Sequence, residues 1–78
     1  MSYTPDLLEE VKLLALYNIS STQEGIKVHK AAGTAAIAAA KRLHAKGLIT
    51  QDDGGYLTSL GIEAAGHAQA LLAILASK

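Results

Sequence analysis

A mainly helical domain carrying one β-hairpin is what the sequence predicts, on three observations. Thr34 to Lys46 reads TAAIAAAKRLHAK, a stretch of strong helix formers with no proline or internal glycine. Gly47 follows it as the punctuation with which helices commonly stop. Leu48-Ile49-Thr50-Gln51 and Tyr56-Leu57-Thr58 then flank Asp52-Asp53-Gly54-Gly55, whose Asp-Gly content is a short-range hairpin signal. A helix running straight into a tight hairpin, with helical segments before and after, has the order of a winged helix-turn-helix. That architecture has a three-helix core, a two-stranded wing and a C-terminal helix, here in one domain over residues 1–78.

The first helix is expected from Pro5 to Tyr17. Thr4 is placed to cap it, proline suits the first helical position, and Asp6, Glu9 and Glu10 lie near the positive end of its dipole. Leu8, Val11 and Ala15 share a face with Leu7 and Leu14. Leu13, Leu16 and Tyr17 lie off it, so the apolar surface is wider than one small core requires. Ser21-Thr22-Gln23-Glu24 fits a capping box for a short second helix over residues 22–30. Gly25 weakens that helix, and the alternation of Ile26 and Val28 is also the pattern of a short strand beside the wing. The helix is preferred because a helix-turn-helix needs one there, with Ala31-Ala32-Gly33 as the turn.

In the third helix, phasing at roughly 100° per residue turns Ala36, Ile37, Ala40 and Leu43 inward. Thr34, Ala35, Ala38, Lys41, Arg42 and Ala45 fall on the opposite side, with Lys46 at its edge. After the hairpin, Thr58 or Ser59 can cap a last helix over residues 60–76. Its stripe of Ala65, Ala68, Leu71, Leu72 and Leu75, with Ile74 beyond, is broad enough for contacts on two sides.

Half of the 78 residues are hydrophobic, but there is no phenylalanine, tryptophan or cysteine. Neither disulfides nor a cysteine-based metal site can therefore hold the chain together. A core of leucine, isoleucine, valine and alanine is thin, which favours a partner subunit. A homodimer through the first and last helices is expected. Seven basic residues balance seven acidic ones, so the chain lacks an overall positive excess. The charge is nevertheless polarised: Asp6, Glu9 and Glu10 lie early, whereas Lys27, Lys30, Lys41, Arg42 and Lys46 fall in the middle third. The start of the chain has no basic region followed by an apolar run, and a soluble cytoplasmic protein is the expectation.

No metalloprotease helix, phosphate-binding glycine loop, nucleophile elbow or cysteine nucleophile occurs. An enzyme is not expected, nor is a cofactor. His29, His44 and His67 fall on separate segments, and no metal site is expected from them. The outer face of the third helix is instead compact and cationic. Small side chains let a helix approach base edges closely, while Arg42 or Lys41 reaches a guanine or a phosphate.

The segments Lys46-Gly47-Leu48-Ile49 and Tyr56-Leu57-Thr58-Ser59-Leu60-Gly61 resemble bacterial winged-helix regulators of the MarR type. In those, a recognition helix ends in a Gly-Leu-Ile step and the wing leads into a Leu-Thr-x-x-Gly helix start. Gly25-Ile26-Lys27-Val28-His29, Ala38-Ala39-Ala40-Lys41-Arg42-Leu43-His44 and Asp53-Gly54-Gly55-Tyr56-Leu57-Thr58 resemble a small, uncharacterised family of bacterial proteins whose label names DNA binding. The resemblance implies a transcriptional regulator reading double-stranded DNA with the helix over 34–46. Lys41, Arg42 and Lys46 would be the cationic contacts, Thr34, Ala35 and Ala38 would lie near base edges, and Lys27 and Lys30 would touch flanking phosphate. One departure matters: where such wings carry an arginine, this one has Gln51, Asp52 and Asp53, which would repel phosphate. The competing expectation is a protein-interaction module on the same scaffold, without DNA binding.

Overall fold

The computed structural model of the protein describes residues 4–20 and 24–77. These form α1 (Pro5–Ala15), β1 (Ile26–Lys27), a single 3-10 turn (Lys30–Ala32), α2 (Thr34–Ala45), β2 (Ile49–Gln51), β3 (Gly54–Leu57) and α3 (Ser59–Ala76). Helix dominates, and the three strands make one small antiparallel sheet in the order β1-β3-β2.

The helix ends form for local reasons. Thr4 Oγ1 accepts the Leu7 amide at 3.2 Å, capping α1 ahead of Pro5. α2 stops in a Schellman arrangement: Gly47 has φ 80°, its amide reaches the His44 carbonyl, and the Leu48 amide reaches that of Leu43. Thr58 caps α3 by accepting the Gly61 amide at 3.0 Å, while its hydroxyl donates to the Gly47 carbonyl at 2.6 Å. One hydroxyl thus joins the end of α2 to the start of α3.

The expected helix over 22–30 does not form in the described part of that segment. Ser21, Thr22 and Gln23 lie outside the described residues, and the Glu24 carboxylate accepts a hydrogen bond from Asn18 Nδ2 at 2.8 Å. Ile26 and Lys27 form β1, pairing with Gly55 and Gly54, and the Val28 amide donates to the Asp53 carbonyl at 2.7 Å. The alternation of Ile26 and Val28 therefore marks a strand. It wins because glycines on the facing strand let the backbones close: a side chain at Gly54, where φ is 127°, would run into the Ile26 carbonyl oxygen.

The glycines accordingly belong to β3, the central strand, and the hairpin turn is Asp52-Asp53 alone. The register shifts by one residue between Ile49↔Leu57 and Gln51↔Gly54. This is a bulge in which Gly55 takes φ 73° and the Tyr56 amide donates to Thr50 Oγ1 at 2.9 Å.

The core gathers Leu13 and Leu14 from α1, Tyr17 from the turn that follows it, Ala39, Ala40 and Leu43 from α2, Ile49 from β2 and Ala65 from α3. The buried face of α1, which stops at Ala15 and not at the expected Tyr17, thus runs through positions 10, 13 and 14 and is continued by Tyr17 beyond the C-cap Leu16. Leu13 and Tyr17 are core residues, whereas Leu8 is half exposed. α3 packs on α1 through its alanines, and Gln69 donates to the Tyr17 carbonyl, closing the end of α1.

Candidate nucleic-acid interface

The eight residues expected to touch DNA separate into two groups. Thr34, Ala35, Ala38 and Lys41 all lie on the exposed side of α2, and Lys30 is exposed on the 3-10 turn that precedes it. Gly33, φ 96°, provides the sharp entry and has no side chain with which to cap the first turn of α2. That turn therefore offers amide donors and the positive end of the helix dipole to whatever approaches it. Small side chains on Ala35 and Ala38 keep the approach open, with Lys41 exposed on the same helix and Lys30 exposed on the turn before it.

Arg42 and Lys46 do not belong to that free outer face. Arg42 Nε donates to Glu10 Oε2 at 2.9 Å, and its terminal nitrogen reaches the Asp6 carbonyl at 3.1 Å. Lys46 Nζ donates to the other Glu10 oxygen. The Glu10 side chain is 7% exposed against 31% for Arg42 and 48% for Lys46. The helix turns both cations back toward α1, where one buried carboxylate occupies them. Burial pushes the Glu10 carboxyl up, but hydrogen bonds and charge from Lys46 and Arg42 outweigh it and hold the group below its usual range. The phasing placed Arg42 outside because it counted direction from the helix axis and not the reach of a long side chain across to α1.

Lys27 is exposed on β1, but its ammonium lies 3.8 Å from Asp53 Oδ2. Such an exposed pair is weak, and it leaves Asp52 as the carboxylate standing out at the turn. Asp53 also acts inward: burial, with its negative charge added, pushes the Tyr17 hydroxyl up. That hydroxyl is buried without a hydrogen-bond partner in the described structure.

His29, His44 and His67 are each exposed. Among the described residues, no group of three or more histidine or carboxylate side chains is placed to hold a metal ion. An apolar recess lies between α1 and the end of α2, lined by Leu7, Leu8, Val11, Leu14, Leu43 and Leu48. The Glu10–Lys46 pair also lines it. Its volume is about 250 Å³.

Sequence reasoning missed Glu10, which it assigned to the helix dipole. The signal was the spacing of Glu10 with Leu13, Leu14 and Tyr17, a helical face on which a carboxylate must find cations elsewhere.

Comparison with curated proteins and with solved structures finds no match. A family model does match, over residues 1–76. By that match the chain belongs to the family of unknown function DUF5669.

Proposed function

We propose that the chain is a winged helix that binds double-stranded DNA, with the N-terminal half of α2 entering the major groove, as in a transcriptional regulator. The observation that carries this reading is the exposed, uncovered face of Thr34, Ala35, Ala38 and Lys41 beside Lys30. The strand order β1-β3-β2, with α2 feeding the hairpin, supports the wing. So does the resemblance of the Gly47-Leu48-Ile49 step and the Leu57-Thr58-x-x-Gly61 helix start to MarR-type regulators. Residues near the start of a recognition helix meet base edges, and amides with nearby lysines meet phosphate.

The roles differ from those the sequence suggested. Among the described residues Lys30 and Lys41 are cations without an ion-pair partner, and Lys27 joins them by giving up a weak surface pair. Arg42 and Lys46 hold α2 against α1 through Glu10 and position the reading face. With two or three cations engaged, the log-log salt slope should be roughly −2 to −3 per subunit.

Fluorescence anisotropy of labelled genomic fragments at low salt tests the reading. Lys41→Glu and Lys30→Glu should each abolish most binding while leaving the circular dichroism spectrum intact. Binding unchanged by both substitutions, or absent in the wild type, overturns it. A second reading, a protein-interaction module, is favoured by the exposed Asp52 at the tip of the turn and by zero net charge. A cellular partner retained after nuclease digestion, alongside no DNA binding, would favour it.

A further inference from the structure

α3 has two separate faces. The one turned inward carries Gly61, Ala65 and Gln69, spaced at every fourth residue, against α1 and Leu48. Rotated from it by roughly a third of a turn lies a second row: Leu60, Ala64, His67, Leu71 and Ile74, with Ala64, half-buried against the core, where the two faces meet. Its spacings of four, three, four and three are those of a coiled-coil seam. Leu60 is 53% exposed, Leu71 52% and Ile74 70%, with Leu75 beside them also at 70%. Every described residue from Ala70 to Ser77 is exposed. Two apolar helical turns standing in water have no packing to sustain them, because short helices draw their stability from tertiary contact.

The chemistry of the seam restricts what covers it. From Ala64 to Ser77 there is no aspartate, glutamate, lysine or arginine, and His67 is the one ionisable side chain. The covering surface must therefore be apolar and carry the same heptad spacing over about 20 Å. Leu60, Leu71, Ile74 and Leu75, with the small residues between them, offer on the order of 450 Å² of apolar surface, somewhat over half of the ~800 Å² each partner gives to a standard interface. Among the described residues, the seam itself is a surface that meets those requirements.

We propose that a second copy of the chain covers this seam, with the two α3 helices antiparallel across a two-fold axis. The register places Leu60 of one copy over Leu71 of the other and small Ala64 against bulky His67, with Ile74 reaching past the first residue of the opposite α3. Large side chains then meet at both ends, and small ones admit the ring in the middle. The two-fold axis passes between Ala64 and His67. This inference does not rest on DNA binding.

The chain has no native cysteine, so single cysteines report the geometry. An equal mixture of Leu60→Cys and Leu71→Cys proteins should form a mixed disulfide dimer under mild oxidation. Neither variant alone should cross-link with itself, because identical positions lie about 16 Å apart along antiparallel helices. Sedimentation should show the wild type as a dimer, and Leu71→Glu should weaken association by at least about tenfold by burying a charge. Its far-ultraviolet spectrum should retain the fold. A wild type monomeric at about 100 µM, against a standard interface in the micromolar range or tighter, would overturn the proposal. So would self-cross-linking of Leu60→Cys, or a wild-type monomer that binds phosphatidylcholine vesicles through α3.

Discussion

Glu10 is a carboxylate on the buried face of a small apolar core, and two cations from the far end of α2 hold it there. Removing its charge while keeping its shape leaves Arg42 and Lys46 facing a neutral amide. Glu10→Gln should therefore lower stability at pH 7 by about 1–3 kcal/mol, discounted from a fully buried pair because both cations remain partly wet. The pH dependence follows from the direction of the shift. The folded carboxyl titrates below its ordinary 4.5, so its contribution is complete above the unfolded value and is lost as pH falls through the folded one. Urea melts across that range should show the wild type losing stability below about pH 4.5, with a shallower acid limb for Glu10→Gln. Parallel limbs would refute the assignment. This pair was not legible in the sequence because Glu10 lies 32 residues from Arg42 and 36 from Lys46. Only the folded crossing of α1 and α2 brings them together.

At the level of elements, the junctions are tighter than the faces. Gly61 sits where α3 passes the Leu48 carbonyl so closely that any side chain would strike it. Gly66, five residues on in the same helix, would meet nothing within 4 Å. Gly61→Ala should cost about 2–3 kcal/mol by overpacking, whereas Gly66→Ala should stabilise by about 0.5–1 kcal/mol through helix propensity. Thermal melts of the two single variants check both signs. The ends of α2 and α3 could be read from Gly47 and Thr58 because a cap is local chemistry, decided within a few residues. The segment from Ile26 to Val28 could not be assigned the same way. A two-residue alternation fits helix or strand, and the glycines that decide it lie on β3, nearly thirty residues later.

For the whole molecule, the proposed pairing of α3 seams would make stability depend on association. If the seam closes on a second copy, the melting temperature should rise on the order of 5–10 °C over a hundredfold increase in concentration. Leu71→Glu should melt at one temperature throughout, and differential scanning fluorimetry at several concentrations decides it. Of the candidate reading surface, the half built from Thr34, Ala35, Ala38 and Lys41 was legible because small residues on a helix face leave little to move. The half built from Arg42, Lys46 and Lys27 was not, since counting charges along the chain says nothing of which are already neutralised. The Thr58 hydroxyl, which ends α2 and begins α3 in one atom, acquires a further meaning under these proposals. It is the fulcrum between the surface that reads and the surface that pairs. α2 is a lever of roughly 20 Å, so a tilt of about 10° at Gly47 would carry Thr34 some 3.4 Å, the rise of one base pair. The spacing of two half-sites would then be written in the angle at which a single threonine sets one helix against the next.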